Sequence, residues 1–233
     1  MRRSWSHSKV AVGLGLATWA ALFWFLLLSG RWALYLSSRV QWVVPAGAVV
    51  LTVVAIGRLA TARTGEQEAL SGRQAWGLGA VVLPAVAVLV FQPMTLGASL
   101  ASSQSLGRGF VSSAADLSSG QITLASVAVA QWSDEGKRVL QQRAGSRVSF
   151  EGFVALREGM PADEFMLTRF IISCCAADAL SVQVRVVGAP PGRFQQDQWL
   201  RVMGNIYPVG NEVVVDASKI APIPRPKNPY LNP

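Results

Sequence analysis

Histidine is almost missing from this chain: His7 is the only one in 233 residues. The half after residue 120 therefore has none, and no Ser/His/Asp or Cys/His arrangement can form there. Cysteine is nearly as scarce, with two residues, Cys174 and Cys175, standing side by side. A metal shell built from that half alone would be short of ligands. Acidic residues are few at the start, where residues 1–120 hold three Asp/Glu against nine Lys/Arg. Residues 121–233 hold ten against twelve, so the formal charge of +8 divides into +6 and +2. The pI near 10.3 is thus mostly a membrane-flank effect. With a charge of +2 and no basic stripe, the second half is a poor nucleic-acid binder, and no nucleic-acid partner is expected.

Charge is also absent from three long apolar runs: Val10 to Leu28, Val40 to Gly57 and Ala75 to Met94. Each has about 18–20 residues, the length of a helix crossing a hydrocarbon core of roughly 30 Å. Three such runs in succession predict three membrane spans, at about 10–29, 40–58 and 75–95. With no Asp, Glu, Lys, Arg or His inside them, they lack the ionisable groups that ion pathways and proton relays use. A transporter acting alone is disfavoured. The first run is too long for the apolar core of a cleaved signal peptide, and no small-x-small site follows Leu28-Ser29-Gly30. An uncleaved helix is expected.

Orientation follows from the basic residues. Arg2, Arg3, Lys9, Arg58, Arg63 and Arg73 flank one side; Arg31, Arg39 and Arg108 flank the other. The excess predicts a cytoplasmic N-terminus and an extracytoplasmic C-terminal domain in a multi-pass cell-membrane protein. Trp19, Trp24, Trp32, Tyr35, Trp42 and Trp76 lie in or near the spans, where headgroup-level anchoring is the expected role of several. Gly13-x-Gly15 and Gly77-x-Gly79 read as helix-packing positions.

Residues 97–120 are rich in Gly, Ser and Ala and read as a flexible tether. Gly107-x-Gly109 within it is no phosphate loop, having no preceding strand and no following Lys. A helical lead-in fills 121–145, with Ser133 before Asp134 and Glu135 as an N-cap and Gly145 as a stop. The period then changes to two. Val148, Phe150, Gly152 and Val154 alternate with Ser149, Glu151 and Phe153. Further strands are predicted over Glu164–Ser173, Ser181–Val187, Trp199–Ile206 and Glu212–Ile223. Asp163-Glu164, after Pro161, reads as a solvated hairpin tip. About five strands in 146–224, with bends at Gly152 and Gly204, predict an all-β, OB-like small barrel. The tail at 225–233 is proline-rich and cannot continue a central strand. It is either a strap across the barrel or a docking peptide. A docking role would use Arg169, Pro226, Pro229 and Tyr230.

The chemistry concentrates in Arg169 to Ala179, Arg-Phe-Ile-Ile-Ser-Cys-Cys-Ala-Ala-Asp-Ala. An apolar, β-branched run stops there and a turn begins. Should the chain reverse, Cys174, Cys175 and Asp178 converge. Three readings stand open. The cysteines are apolar fillers of the core, with Asp178 capping the turn. Alternatively, Cys174, Cys175 and Asp178 bind a soft or borderline cation such as zinc or copper, although adjacent strand residues point to opposite faces. In the third reading the two thiols form a strained vicinal disulfide. No catalytic residue is nominated, and a non-enzymatic role is expected.

The chain resembles the YcgQ-like family of bacterial membrane proteins. The resemblance rests on Leu34-Tyr35-Leu36 with Arg39, Pro84 and Pro93 with Leu96-Gly97, and Val148 with Glu151-Gly152-Phe153-Val154. It continues through the Cys-Cys-Ala-Ala-Asp motif, Trp199-Leu200-Arg201-Val202 with Gly204, and Pro226-Lys227-Asn228-Pro229-Tyr230-Leu231. The Ala/Ser-rich Ile122–Ala130 departs from the better-defined helix of similar chains. The resemblance implies a subunit of a two-component permease, with a larger polytopic partner of the YraQ/YcgR type and a loose link to metal homeostasis. The function read from residues and resemblance together is an accessory permease subunit. A stand-alone extracytoplasmic metal-binding or thiol protein is the alternative, and a structural envelope protein the second.

Overall fold

The computed structural model describes residues 7–62, 71–90, 97–98, 120–131, 133–210 and 212–231. The chain divides into two units, Met1–Met94 and Thr95–Pro233. Nearly all of the expected tether, the loop with Arg63 and the end of the expected third span lie outside the described residues.

The first unit is helical: α1 (His7–Ser29), α2 (Val43–Thr61) and α3 (Gly72–Val90). Ser8–Ser29 and Val43–Thr61 are long and apolar enough to cross a membrane, whereas the apolar stretch of α3, Ala75–Val90, is shorter. The side chains of α2 are not arranged as in a soluble core helix. Val49, Val50, Val53 and Ile56 are all exposed, and its buried residues are Val44, Ala48 and Ala55. Apolar side chains facing outward on a helix of this length are what lipid contact requires.

Small residues bring the helices together. A Cβ at Gly13 would lie 2.7 Å from Leu59, one at Gly47 2.6 Å from Phe23, and one at Gly15 3.0 Å from Leu78. Gly77 and Gly79 meet nothing within 4 Å, so the packing role expected of that pair is not seen. Two indoles act between helices. Trp24 donates to Thr52 Oγ1 at 3.1 Å, and Trp19 donates to the Val81 carbonyl at 3.0 Å. Val81 lies just before Pro84, which interrupts the backbone hydrogen bonding of α3. Trp42 and Trp76, near helix starts, are exposed.

The second unit opens with α4 (Leu124–Ala130) and α5 (Asp134–Gln142). Where the sequence reads as one lead-in, Ser133 begins a new helix: its Oγ accepts from Gly136 N–H at 3.0 Å. Gly145, at φ 80°, takes the left-handed conformation just beyond α5.

Six strands follow: β1 (Arg147–Ala155), β2 (Phe165–Ile171), β3 (Leu180–Val187), β4 (Trp199–Val209), β5 (Glu212–Pro222) and β6 (Tyr230–Leu231). They form one mixed sheet. β1 pairs antiparallel with β2 and β4, β2 with β3, and β4 with β5. β3–β5 and β2–β6 are parallel. Each of β1 to β5 thus has at least two strand neighbours.

Period two sorts the side chains of β1 onto two faces. Val148, Phe150 and Val154 join Leu167, Val184, Leu200, Val202 and Ile206 in the main core, which also takes Leu124, Val127 and Leu140 from the helices. Phe153 and Ala155 face the other way, into a second cluster with Met166, Phe170, Ile172 and Tyr230. β2 is therefore covered on both faces, which is why it reads as a continuous apolar run rather than an alternation. Gly152 and Gly204 are points of close approach. A Cβ at Gly152 would lie 2.6 Å from the Thr168 carbonyl oxygen, and one at Gly204 2.0 Å from that of Asp216. The β4–β5 register shifts at Met203/Gly204, so the expected bend there is a β-bulge.

Candidate functional site

The turn between β2 and β3 carries the two thiols. β2 ends at Ile171, and a short 3-10 turn, Ala176–Asp178, leads into β3. Because the chain has left the strand, the rule that adjacent residues face opposite sides no longer holds. The sulfurs of Cys174 and Cys175 lie 3.6 Å apart. Their Sγ atoms and a carboxylate oxygen of Asp178 all fall within 4.8 Å of one another. Cys174 is exposed and Cys175 half-buried, both as free thiols. Neither is the core filler that one sequence reading allowed.

Asp178 organises the turn. Its Oδ1 accepts from Ser173 N–H at 3.0 Å and its Oδ2 from Cys174 N–H at 2.8 Å. Asp178 N–H in turn donates to the Cys175 carbonyl at 3.0 Å. Partial burial pulls the carboxyl pKa upward, but the Cys174 thiol and the backbone N–H groups of Cys174, Ser173 and Cys175 outweigh it and lower the pKa. The same contact acts oppositely on sulfur. The hydrogen bond to Asp178, then that to Cys175, pushes the Cys174 thiol up to about 11. Cys174 is thus held as a thiol at neutral pH.

Removing the carboxylate reverses this. In a Cys175→Ser background, where Asp178 remains the main cause of the rise, Asp178→Ala is expected to lower the pH midpoint for Cys174 alkylation toward the ordinary 9.0. Alkylation at neutral pH then speeds up, because more thiolate is present. A rate profile with a small neutral alkylating agent measures it. An unchanged midpoint would mean that Asp178 does not act on the sulfur.

The other nominated residues form a second constellation. Arg169 Nε donates to the Pro229 carbonyl at 3.1 Å, and Nη2 donates to the Asn228 carbonyl at 3.0 Å. Its guanidinium lies 5.6 Å from the Trp199 ring centroid. Burial lowers the pKa of Arg169, and the charge of Glu151 offsets part of that. Tyr230 is buried in the second cluster and pairs with Phe170. Pro229 is buried and Pro226 half-buried. A cavity of about 30 Å³, room for about one water, is lined by Phe153, Phe170, Trp199, Pro229 and Tyr230 among others. The tail is a strap, and Arg169 and Tyr230 hold it within the domain.

The two constellations meet at the end of β2. Ile172 N–H donates to the Leu231 carbonyl at 3.1 Å, two residues before Cys174. Sequence reasoning did not nominate Trp199, Ser173 or Asn228. The available signal was Arg169 itself, a lone cation in an apolar strand that needs buried acceptors.

A family model, the DUF1980 C-terminal domain, matches residues 111–233. The chain belongs to the DUF1980 C-terminal domain family. No curated protein matches the chain, and no solved structure does. The family match takes in the whole six-stranded sheet, the Cys174–Asp178 turn and the strap of this DUF1980 chain, while the apolar helices lie before it.

Proposed function

We propose that this DUF1980 chain is an accessory subunit of a bacterial membrane permease, within the YcgQ-like group, and has no catalytic activity of its own. In this reading α3 completes a third span, the N-terminus is cytoplasmic and the sheet domain extracytoplasmic. The helices dock a polytopic partner of the YraQ/YcgR type, and the Cys174–Asp178 turn contacts partner or cargo. The observation that carries the reading is the pairing of an exposed two-thiol turn with helices of outward-facing apolar side chains built on charge-free apolar runs. The neighbour relations among β1 to β5, a ring in which β1 pairs both β2 and β4, support an OB-like barrel.

A photo-crosslinking residue at the exposed Ala177 tests the contact in native membranes. One dominant adduct with a polytopic membrane protein is the expected result. Adducts with lipid or the chain itself alone would remove the support for a partner at this turn. The alternative, a thiol or metal-binding protein acting without a permease, is favoured by the exposure of Cys174 and predicts no such adduct.

A further inference from the structure

We propose that Cys174, Cys175 and Asp178 form an open, three-ligand site for a zinc-class divalent cation. The donor set is two sulfurs and one carboxylate, which suits a borderline metal. The spacing points the same way. Two zinc–sulfur bonds of about 2.3 Å in a tetrahedron place the sulfurs about 3.8 Å apart, close to the 3.6 Å found. A linear two-sulfur site with bonds of that length would need about 4.6 Å.

The third ligand is oriented in advance. Each Asp178 oxygen is held by one backbone N–H, from Ser173 and from Cys174. The Cys174 thiol also donates to this carboxylate, and its proton leaves when the sulfur binds metal, which frees a carboxylate lone pair to coordinate. Such fixing of a ligand by outer hydrogen bonds is what well-formed metal sites use. No other group of three Cys, Asp, Glu or His side chains converges in this way among the described residues.

Binding replaces the two thiol protons with metal–sulfur bonds and releases both protons to solvent; no electron moves. With Cys174 exposed, the fourth position is open to water or to a ligand from another molecule. An open shell suits an ion that is passed on rather than one locked in a structural site. That the ion is cargo rests on the subunit reading, whereas its binding to the turn does not.

The test uses the full-length chain in mild detergent, reduced, without a polyhistidine tag and stripped by a chelator. Zn²⁺ alone is added, and bound metal is quantified after gel filtration. About one zinc per chain is expected, with affinity lowered at least about tenfold in Cys174→Ser, Cys175→Ser and Asp178→Asn. Melting curves of the two serine variants, whose positions lie outside both core clusters, should match the parent and separate metal loss from misfolding. A parent that binds no zinc, or serine variants that bind it equally, would overturn the site. Zinc binding without any co-purifying permease would leave the site standing and remove the subunit reading; a permease without zinc binding would do the reverse.

Discussion

Gly204→Val is expected to destabilise the sheet domain severely. At Gly204 the β4–β5 register shifts, and a Cβ would stand 2.0 Å from the Asp216 carbonyl oxygen. That neighbour is backbone, not the end of a flexible side chain, so the strands must separate. Met203 and Gly204 lie in the middle of the β4–β5 pairing, which runs from Leu200↔Pro222 to Val209↔Glu212. Separation opens the core around Val202, Ile206 and Val215. The expected cost exceeds about 4 kcal/mol, a large part of a domain stability of about 5–15 kcal/mol. Gly210→Ala is the control. At φ 62° and with nothing within 4 Å of a Cβ, it carries only the left-handed strain of about 1–2 kcal/mol. Thermal unfolding of the full chain measures both, and equal effects would contradict the bulge.

Arg169→Ala releases the strap. The guanidinium satisfies the Asn228 and Pro229 carbonyls and rests on Trp199. Charge-assisted bonds of this kind contribute about 1.5–3 kcal/mol each. Because the released tail regains water, a loss of about 2–4 kcal/mol is expected for the pair. The local readout is hydrogen exchange at Ile172 N–H, whose acceptor is the Leu231 carbonyl; it should accelerate before the core amides do. Arg169→Lys should restore only part of the loss, since an ammonium lacks the planar fork that reaches two acceptors and stacks on an indole. Full rescue by lysine would show that charge alone holds the tail.

Much of this was legible because the signals are local. Val148, Phe150 and Val154 repeat at period two and face one core. Ser133 precedes two acids and caps a helix. The bend at Gly204 is a property of one residue that lacks a Cβ. The convergence of Cys174, Cys175 and Asp178 was conditional on a reversal, which β2, the 3-10 turn and β3 supply.

What the sequence left hidden depends on distant partners. β6 is two residues long and pairs with β2 about 60 positions earlier, too short for any periodicity. β2 carries Arg169 amid apolar neighbours because its acceptors lie on the tail, which no window around residue 169 contains. Trp19 and Trp24 look like interface anchors by composition, yet both donate to neighbouring helices. A helix-to-helix hydrogen bond has no local signature.

An accessory subunit of a membrane complex stays with its partner when it is extracted from the membrane. Purification of the full-length DUF1980 chain from its own membranes in mild detergent, with every co-eluting chain quantified, tests this. A polytopic permease at a fixed ratio that persists through gel filtration is the expected result. A lone monomer, recovered intact and folded with no stable partner, would contradict it.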